Sequence, residues 1–164
     1  MILRAVLAAL LCLVFAFPAQ SHAKAPEQPF QAIVLRISDG GSILVRAGNQ
    51  KIKIRLYGID APELNQPGGA EAKEALRHLL WETVTITKMG TDRYKRTVAV
   101  VDYMGKCINL ILVEQGHAWF DSQHCKAAWI CGQFKMVEAK AKADGIGLWA
   151  DNEPVPPWEW RRKK

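Results

Sequence analysis

Cysteine and histidine are both scarce in this sequence, with four residues of each among 164. There is no Cys-x-x-Cys pair and no pair of histidines at zinc-ligand spacing, which argues against a zinc site. The pair Gly68-Gly69 lacks the Lys-Ser/Thr continuation of a phosphate-binding loop, which argues against a P-loop nucleotide site. Internal repeats are absent as well.

The sequence also lacks an apolar run of membrane-spanning length near its start. The run from Ala5 to Phe17 has 13 residues, whereas a spanning helix takes about 20. Arg4 precedes this run, and Ser21-His22-Ala23 follows it as a small-x-small cleavage site. We predict a signal peptide over residues 1–23 and a periplasmic or secreted protein without a stable membrane anchor. An uncleaved anchor is the alternative.

Acidic residues are outnumbered, 16 against 22 Lys and Arg, which gives a formal net charge of +6. Loss of Arg4 with the signal peptide would make it +5. A basic exported domain suggests a polyanionic partner, either nucleic acid or an anionic membrane surface. Residues 24–164 are enough for one domain with a hydrophobic core.

Three cysteines would remain after cleavage: Cys107, Cys125 and Cys131. In an oxidising compartment, an odd count implies one disulfide plus a free thiol, or an intermolecular bridge. The short spacing between Cys125 and Cys131 makes them the favoured pair.

Hydrophobic periodicity predicts five strands and three helices. The strands are expected over residues 32–37, 43–45, 51–57, 83–87 and 97–103, and the helices over 70–80, 108–115 and 126–143. This is an α+β pattern. Its strand order is compatible with a five-stranded OB-type β-barrel carrying about three packed helices, among several α+β options.

The tail differs in composition from the rest of the chain. We divide the mature protein into a barrel domain over residues 24–152 and a Pro/Trp-rich basic tail over 153–164. The tail contains three prolines, two tryptophans and the run Arg161-Arg162-Lys163-Lys164. It is predicted to be an extended basic arm rather than another element.

The chemistry-bearing residues cluster after the third strand. Asp60 and Glu63 flank Pro62 in a loop, where two carboxylates can converge on one hard cation or one water molecule. Alternation places Arg55 on the polar face of the strand that leads into this loop. Arg96 precedes the fifth strand. Two arginines and two carboxylates suit hydrolysis of a phosphodiester, although a surface salt bridge is the simpler interpretation of Arg55.

Four segments, in order, resemble the staphylococcal-nuclease-like (thermonuclease) family. Residues 55–63 (Arg-Leu-Tyr-Gly-Ile-Asp-Ala-Pro-Glu) are similar to its signature segment, and residues 91–97 to its second signature. Residues 109–118 and 139–149 resemble its helix-and-turn and closing segments. The tail at 156–161 (Pro-Pro-Trp-Glu-Trp-Arg) resembles that of exported bacterial members.

The resemblance implies an OB-type barrel and a calcium-dependent phosphodiesterase that acts on DNA and RNA and leaves 3′-phosphate ends. It makes Glu63 the general base, Arg55 the phosphate clamp and Arg96 the group that stabilises the transition state. It makes Asp60 a calcium ligand and places Tyr94 near the bound nucleotide. We expect the neighbouring Lys95 to bind substrate as well. No obligate protein partner is evident, and we expect a monomer.

The sequence departs from the family pattern at two positions. The first turn reads Asp39-Gly40-Gly41-Ser42, where the family usually has aspartate at the position of Gly41. Water or a shifted Asp39 would have to supply that calcium ligand. The affinity for calcium would then be lower if water replaces the carboxylate, because it follows the number of carboxylate ligands. Lys95 replaces the glycine that usually precedes the second arginine, which removes backbone freedom.

Three functions are compatible with these features. The first is an exported, metal-assisted nuclease. The second is a nucleic-acid-binding OB module whose catalysis is weakened by Gly41. The third is an envelope protein that uses its basic tail on an anionic surface.

Overall fold

Alternating branched apolar and polar side chains form the strands of this protein. The computed structural model describes residues 28–80 and 82–163. Its strands are β1 (Phe30–Asp39), β2 (Ser42–Ala47), β3 (Gln50–Leu56), β4 (Ile59–Asp60), β5 (Thr83–Thr91), β6 (Thr97–Tyr103), β7 (Lys106–Cys107) and β8 (Trp119–Phe120). Its helices are α1 (Gly69–Leu79), α2 (Ile108–Glu114), α3 (Ala128–Ala143) and α4 (Pro157–Arg162), with a 3-10 turn at Gly147–Ala150.

Five of these strands close into a barrel. The meander β1-β2-β3 is antiparallel, and β1 also pairs with β5, which pairs with β6. The parallel pairing of β3 with β6 closes the sheet. This confirms the predicted OB-type α+β barrel, and the five predicted strands and three predicted helices lie within a few residues of their expected bounds.

The barrel interior is filled by the residues that alternation assigns to the inner face. Val45, Ile54, Val84, Ile86 and Val101 are each almost completely inaccessible to solvent. Because side chains alternate along a strand, burying Ile54 places the next residue of β3 on the outer face. The barrel thereby carries Arg55 to the side of the molecule on which the candidate site lies.

One buried polar side chain ties the barrel to α2. Asn109 is completely buried. Its Oδ1 accepts a hydrogen bond from the backbone N–H of Val101 (2.9 Å), and its Nδ2 donates to the carbonyl oxygens of Tyr57 (3.0 Å) and Ala99 (3.1 Å). Asn109 thus joins the middle of β6 to the residue that follows β3, and these are the two strands that close the barrel.

Replacing Asn109 by leucine is expected to lower the free energy of unfolding by about 2–4 kcal/mol, since it removes three buried hydrogen bonds, leaves their backbone partners unpaired and puts larger methyl groups in place of the amide. Denaturant unfolding measures the change. Asn152→Leu, at an exposed position, is the matched control and is expected to change stability by less than about 0.5 kcal/mol. Equally small changes in the free energy of unfolding of the two variants would show that the buried Asn109 amide does not contribute to stability.

The predicted disulfide is confirmed. Cys125 and Cys131 are bonded, with 5.8 Å between their Cα atoms, and Cys107 is the free cysteine among the described residues. The Tyr57 hydroxyl accepts hydrogen bonds from the backbone N–H groups of Lys126 (2.6 Å) and Ala127 (2.9 Å). The disulfide loop is therefore fastened to the end of β3.

The prediction of an extended tail is wrong. Residues 157–162 form helix α4, whose first residue, Pro157, is buried. Proline is favoured at the first helical position because its fixed φ suits the helix and its missing N–H would have no partner there. The helix returns to the barrel instead of extending into solvent.

The predicted signal peptide at residues 1–23 lies outside the described residues. Within residues 28–80 and 82–163, no helix is both long enough and apolar enough to cross a membrane.

Candidate active site

Asp60 is the central carboxylate of the site. It belongs to the short strand β4, which pairs with β8 so that Asp60 lies opposite Trp119. This pairing leaves Asp60 only 3% exposed. A carboxylate so deeply buried needs ionic or hydrogen-bonding partners, and it has two arginines.

Arg55 is the first of these partners. Its Nη2 lies 2.5 Å from Asp60 Oδ1 and donates a second, longer hydrogen bond to the carbonyl oxygen of Ile59 (3.3 Å). The side chain of Arg55 is 21% exposed. The contact is therefore a half-buried, charge-assisted pair rather than the exposed surface salt bridge considered from the sequence.

Glu63 projects from the loop that follows β4. The Gln66 side chain accepts the N–H of Glu63 (3.1 Å), and the N–H of Gln66 donates to the Glu63 carbonyl oxygen (2.8 Å). Gly69 lies so close to that carbonyl that a Cβ there would collide with it. The loop backbone is thus fixed by a tight turn and by α1, while the Glu63 carboxylate stays 40% exposed.

A second arginine reaches the same carboxylates from the far end of the chain. Arg161 Nη2 lies 2.7 Å from Asp60 Oδ2, and Arg161 Nη1 lies 2.8 Å from Glu63 Oε1. The hydrogen bond to Asp60, with a further contribution from Glu63, raises the pKa of the Arg161 guanidinium above its usual value. Sequence analysis missed this residue, although Pro157 is a helix-start signal that could have placed α4.

Arg96 stands at the entrance to β6, held by its own loop. Its Nε lies 2.6 Å from Asp92 Oδ2, and its backbone N–H donates to Asp92 Oδ1 (2.9 Å). Burial alone would raise the pKa of Asp92, but these hydrogen bonds outweigh it, so the pKa lies below its ordinary value. Asp92 therefore stays ionised and holds Arg96 through Nε. The two Nη groups of Arg96 are left for other partners.

The barrel closure brings together the segments that carry Arg96 and Arg55. In the parallel pairing, Thr97 lies beside Ile54 and Val98 beside Arg55. Arg96 directly precedes Thr97, so the backbones of the two predicted arginines lie near each other although 41 residues separate them in the sequence.

Tyr94 and Lys95 lie in the loop before Arg96. Tyr94 is 64% exposed, and the guanidinium carbons of Arg93 and Arg96 lie 4.8 and 5.5 Å from the centre of its ring. Lys95 has a φ of +61°, a left-handed conformation that suits glycine. The loop keeps the backbone shape expected for glycine and adds an exposed positive charge. The structure shows no contact from Lys95 to the carboxylates.

The turn at Gly41 is the other point of departure from the family pattern. Gly41 precedes Ser42, which pairs with Arg55 across β2 and β3. A Cβ on Gly41 would lie 2.5 Å from Arg55 Nη1, so the arginine occupies the space of the missing aspartate side chain. Asp39 lies at the start of the same turn, where its Oδ1 accepts the N–H of Gly41 (2.8 Å).

The carboxylate oxygens of Asp60 and Glu63, as they are arranged in this structure, do not fit a divalent cation. Both oxygens of Asp60 and one of Glu63 contact guanidinium groups. Within residues 28–80 and 82–163, no group of three or more His, Cys, Asp or Glu side chains is arranged to hold a metal ion. Calcium prefers six to eight oxygen ligands, mostly from carboxylates, carbonyls and water. The predicted roles of Asp60 and Asp39 as calcium ligands stay predictions.

Comparison with known proteins agrees with this architecture. The model of the family described as staphylococcal nuclease homologue matches residues 53–151, more than half of the chain. The matched range runs from β3 through the 3-10 turn and includes Arg55, Glu63 and Arg96.

Individual relatives match as well. A Haemophilus influenzae protein named "Uncharacterized endonuclease" is 42% identical over 133 residues, which cover 80% of this chain and 72% of that protein. The "Micrococcal nuclease" of Shigella flexneri is 37% identical over 143 residues, with 81% of each chain covered. A staphylococcal-like nuclease of Arabidopsis thaliana is 34% identical over 116 residues, 70% of this chain and 35% of that protein. The barrel, the motifs within it and these matches agree, and the chain belongs to the staphylococcal nuclease family.

Proposed function

We propose that this protein is an exported nuclease that hydrolyses phosphodiester bonds of DNA and RNA and leaves 3′-phosphate ends. The observation that carries the proposal is the cluster at the end of β3, in which Asp60 contacts Arg55 and Arg161 joins Asp60 to the accessible carboxylate of Glu63. Arg96 lies at the start of the strand that pairs with β3, and a relative of this chain is named a micrococcal nuclease. The net positive charge of the chain suits a polyanionic substrate.

Each side chain has a distinct chemical task in this proposal. Glu63 takes a proton from the attacking water as that water adds to phosphorus. Arg55 and Arg96 donate to the phosphoryl oxygens, where negative charge accumulates in the transition state. The bond from phosphorus to the 5′-oxygen breaks, the departing 5′-oxygen takes a proton from solvent water, and the phosphate stays on the 3′ side. Tyr94 offers an exposed ring to a base or sugar beside the cleaved bond.

No step is assigned to calcium, because the Asp60 oxygens that would bind it contact the guanidinium groups of Arg55 and Arg161. The proposal includes calcium dependence of the cleavage, which the assay below measures. Gly41→Asp adds the carboxylate that the family pattern has at this turn. The neighbouring Arg55 Nη1 is the end of a flexible side chain and can shift to admit it.

The test is digestion of plasmid and single-stranded DNA by the purified protein, in millimolar calcium and in chelator. We expect cleavage in calcium, 3′-phosphate termini in the products, and stronger calcium stimulation in Gly41→Asp, because affinity follows the carboxylate count. Gly132→Asp is the matched control, since Gly132 lies on α3 with open space around it and should behave as wild type. Absence of cleavage by both wild type and Gly41→Asp would contradict the proposal.

A binding module is the second candidate, and one observation favours it: Arg161 neutralises both carboxylates of the site. The same samples discriminate the two functions. Salt-dependent DNA binding without turnover, under the conditions of the digestion assay, would establish binding alone.

A further inference from the structure

We propose that Arg161 is an internal cation of the active site. Its guanidinium lies between Asp60 and Glu63, where these carboxylates would otherwise hold a divalent ion, and it thereby weakens the binding of that ion. The inference rests on the proposed function only in treating these carboxylates as the reactive site. Its test needs no catalysis.

The contacts of this one guanidinium span both carboxylates. Nη2 meets Asp60 Oδ2 at 2.7 Å, while Nη1 meets Glu63 Oε1 at 2.8 Å and Asp60 Oδ1 at 3.4 Å. Three of the four carboxylate oxygens therefore face a single positive group. A cation that binds both carboxylates at once needs the same space and the same lone pairs.

The charge balance favours a guanidinium over a divalent ion. Asp60 and Glu63 carry two negative charges, and Arg55 and Arg161 carry two positive charges, so the cluster is neutral as it stands. A divalent ion added to it would meet two guanidinium groups without further carboxylates, because Gly41 supplies none. Replacing the Arg161 guanidinium by a divalent ion removes one positive charge and adds two, so the neutral cluster would gain a net positive charge.

The tail that carries Arg161 is fastened to the same loop as Glu63. Gln66 Nε2 donates to the carbonyl oxygen of Val155 (2.6 Å), and Trp160 Nε1 donates to Asn65 Oδ1 (3.4 Å). Gln66 is itself buried, and its Oε1 accepts the N–H of Glu63. The position of Arg161 is thus set by a docked helix with several anchors rather than by one surface side chain.

Competition of this kind has a measurable consequence. A cation can bind both carboxylates at once only in those molecules in which Arg161 has moved away from Asp60 and Glu63. The apparent dissociation constant of the ion is then its intrinsic value divided by the fraction of molecules in that state. Removing the guanidinium should strengthen calcium binding without adding any ligand.

The experiment is a calcium titration of the purified protein without nucleic acid, followed by calorimetry and by the shift in Tm. We expect Arg161→Gln to bind calcium about tenfold more tightly than wild type, as it would if Arg161 occupies the carboxylates about 90% of the time. Arg161→Met, which keeps the aliphatic stem, should gain similarly. Arg161→Lys, which keeps the charge, should stay closer to wild type.

Arg162→Gln is the matched control. It removes the same charge from the same helix, but Arg162 contacts the carbonyl oxygen of Trp158 (3.3 Å) and not the carboxylates. Equal calcium affinities in Arg161→Gln and Arg162→Gln would overturn the proposal, as would absence of calcium binding by both Arg161→Gln and Arg161→Met. Adding Asp60→Asn to Arg161→Gln should abolish the gain, and a gain that persists would also overturn it. A failed nuclease assay would leave these binding results unchanged.

Discussion

Replacing Glu63 by glutamine is expected to lower kcat for DNA cleavage by about 10³-fold, within the range of general-base contributions. Glutamine keeps the shape of the side chain and can keep a hydrogen bond to Arg161, but its amide cannot take a proton from water. The backbone contacts of residue 63, to the side chain and N–H of Gln66, do not involve the carboxylate. Chemistry should therefore be lost while the fold is kept.

Initial rates of plasmid nicking measure the loss, and thermal unfolding measures the fold. Because Glu63 is 40% exposed, we expect its removal to change the free energy of unfolding by less than about 1 kcal/mol. Glu74→Gln is the matched control: Glu74 is exposed on α1 and pairs with Arg77 at 2.7 Å, away from the site. Wild-type rates in Glu63→Gln would assign the proton transfer to another group.

Replacing Arg96 by lysine is expected to lower kcat about 10²- to 10³-fold, the usual effect of removing one donor aimed at transition-state charge. Asp92 engages Arg96 through Nε, which leaves the two Nη groups for a phosphate. Lysine carries the same charge, but its single ammonium group cannot bind Asp92 and present a two-pronged donor at the same time. The loss should therefore fall on kcat more than on KM.

Arg93→Lys provides the comparison for Arg96→Lys. Arg93 lies in the same loop and also contacts the Tyr94 ring, but it is exposed and, unlike Arg96, does not directly precede the strand that pairs with β3. Its replacement should leave kcat within a few-fold of wild type and, because lysine keeps the charge, should change DNA affinity little. Equal losses of kcat in the two variants would mean that the guanidinium of Arg96 has no role that the guanidinium of Arg93 lacks.

Docking of the tail changes the standing of the third hypothesis drawn from the sequence. An envelope protein that binds an anionic surface through a free basic arm needs Arg161 and its neighbours exposed to that surface. Arg161 instead makes ion pairs with Asp60 and Glu63, while Arg162 and Lys163 stay exposed. The tail is therefore docked on the candidate site and is not a free basic arm.

Local pattern was sufficient for most of the fold. Alternation along β3 assigned Ile54 to the core and Arg55 to the outer face, and the structure agrees. Such assignments depend on only a few consecutive residues, because a strand has a side-chain period of two. The helices and the disulfide between Cys125 and Cys131 follow equally short-range signals. The motifs around Arg55 and Arg96 were enough to identify the family.

The assembled site depended on contacts that no local pattern encodes. The segments that carry Arg55 and Arg96 come together only because β3 and β6 pair in parallel, in one register. Arg161 and Asp60 are 101 residues apart in the sequence, and their contact requires α4 to form and then dock at the Glu63 loop. The sequence by itself determined the barrel, the family and the chemical types of the site residues. Only the tertiary structure decided that a tail guanidinium lies between the two carboxylates, because the free energy of docking comes from residues far apart along the chain.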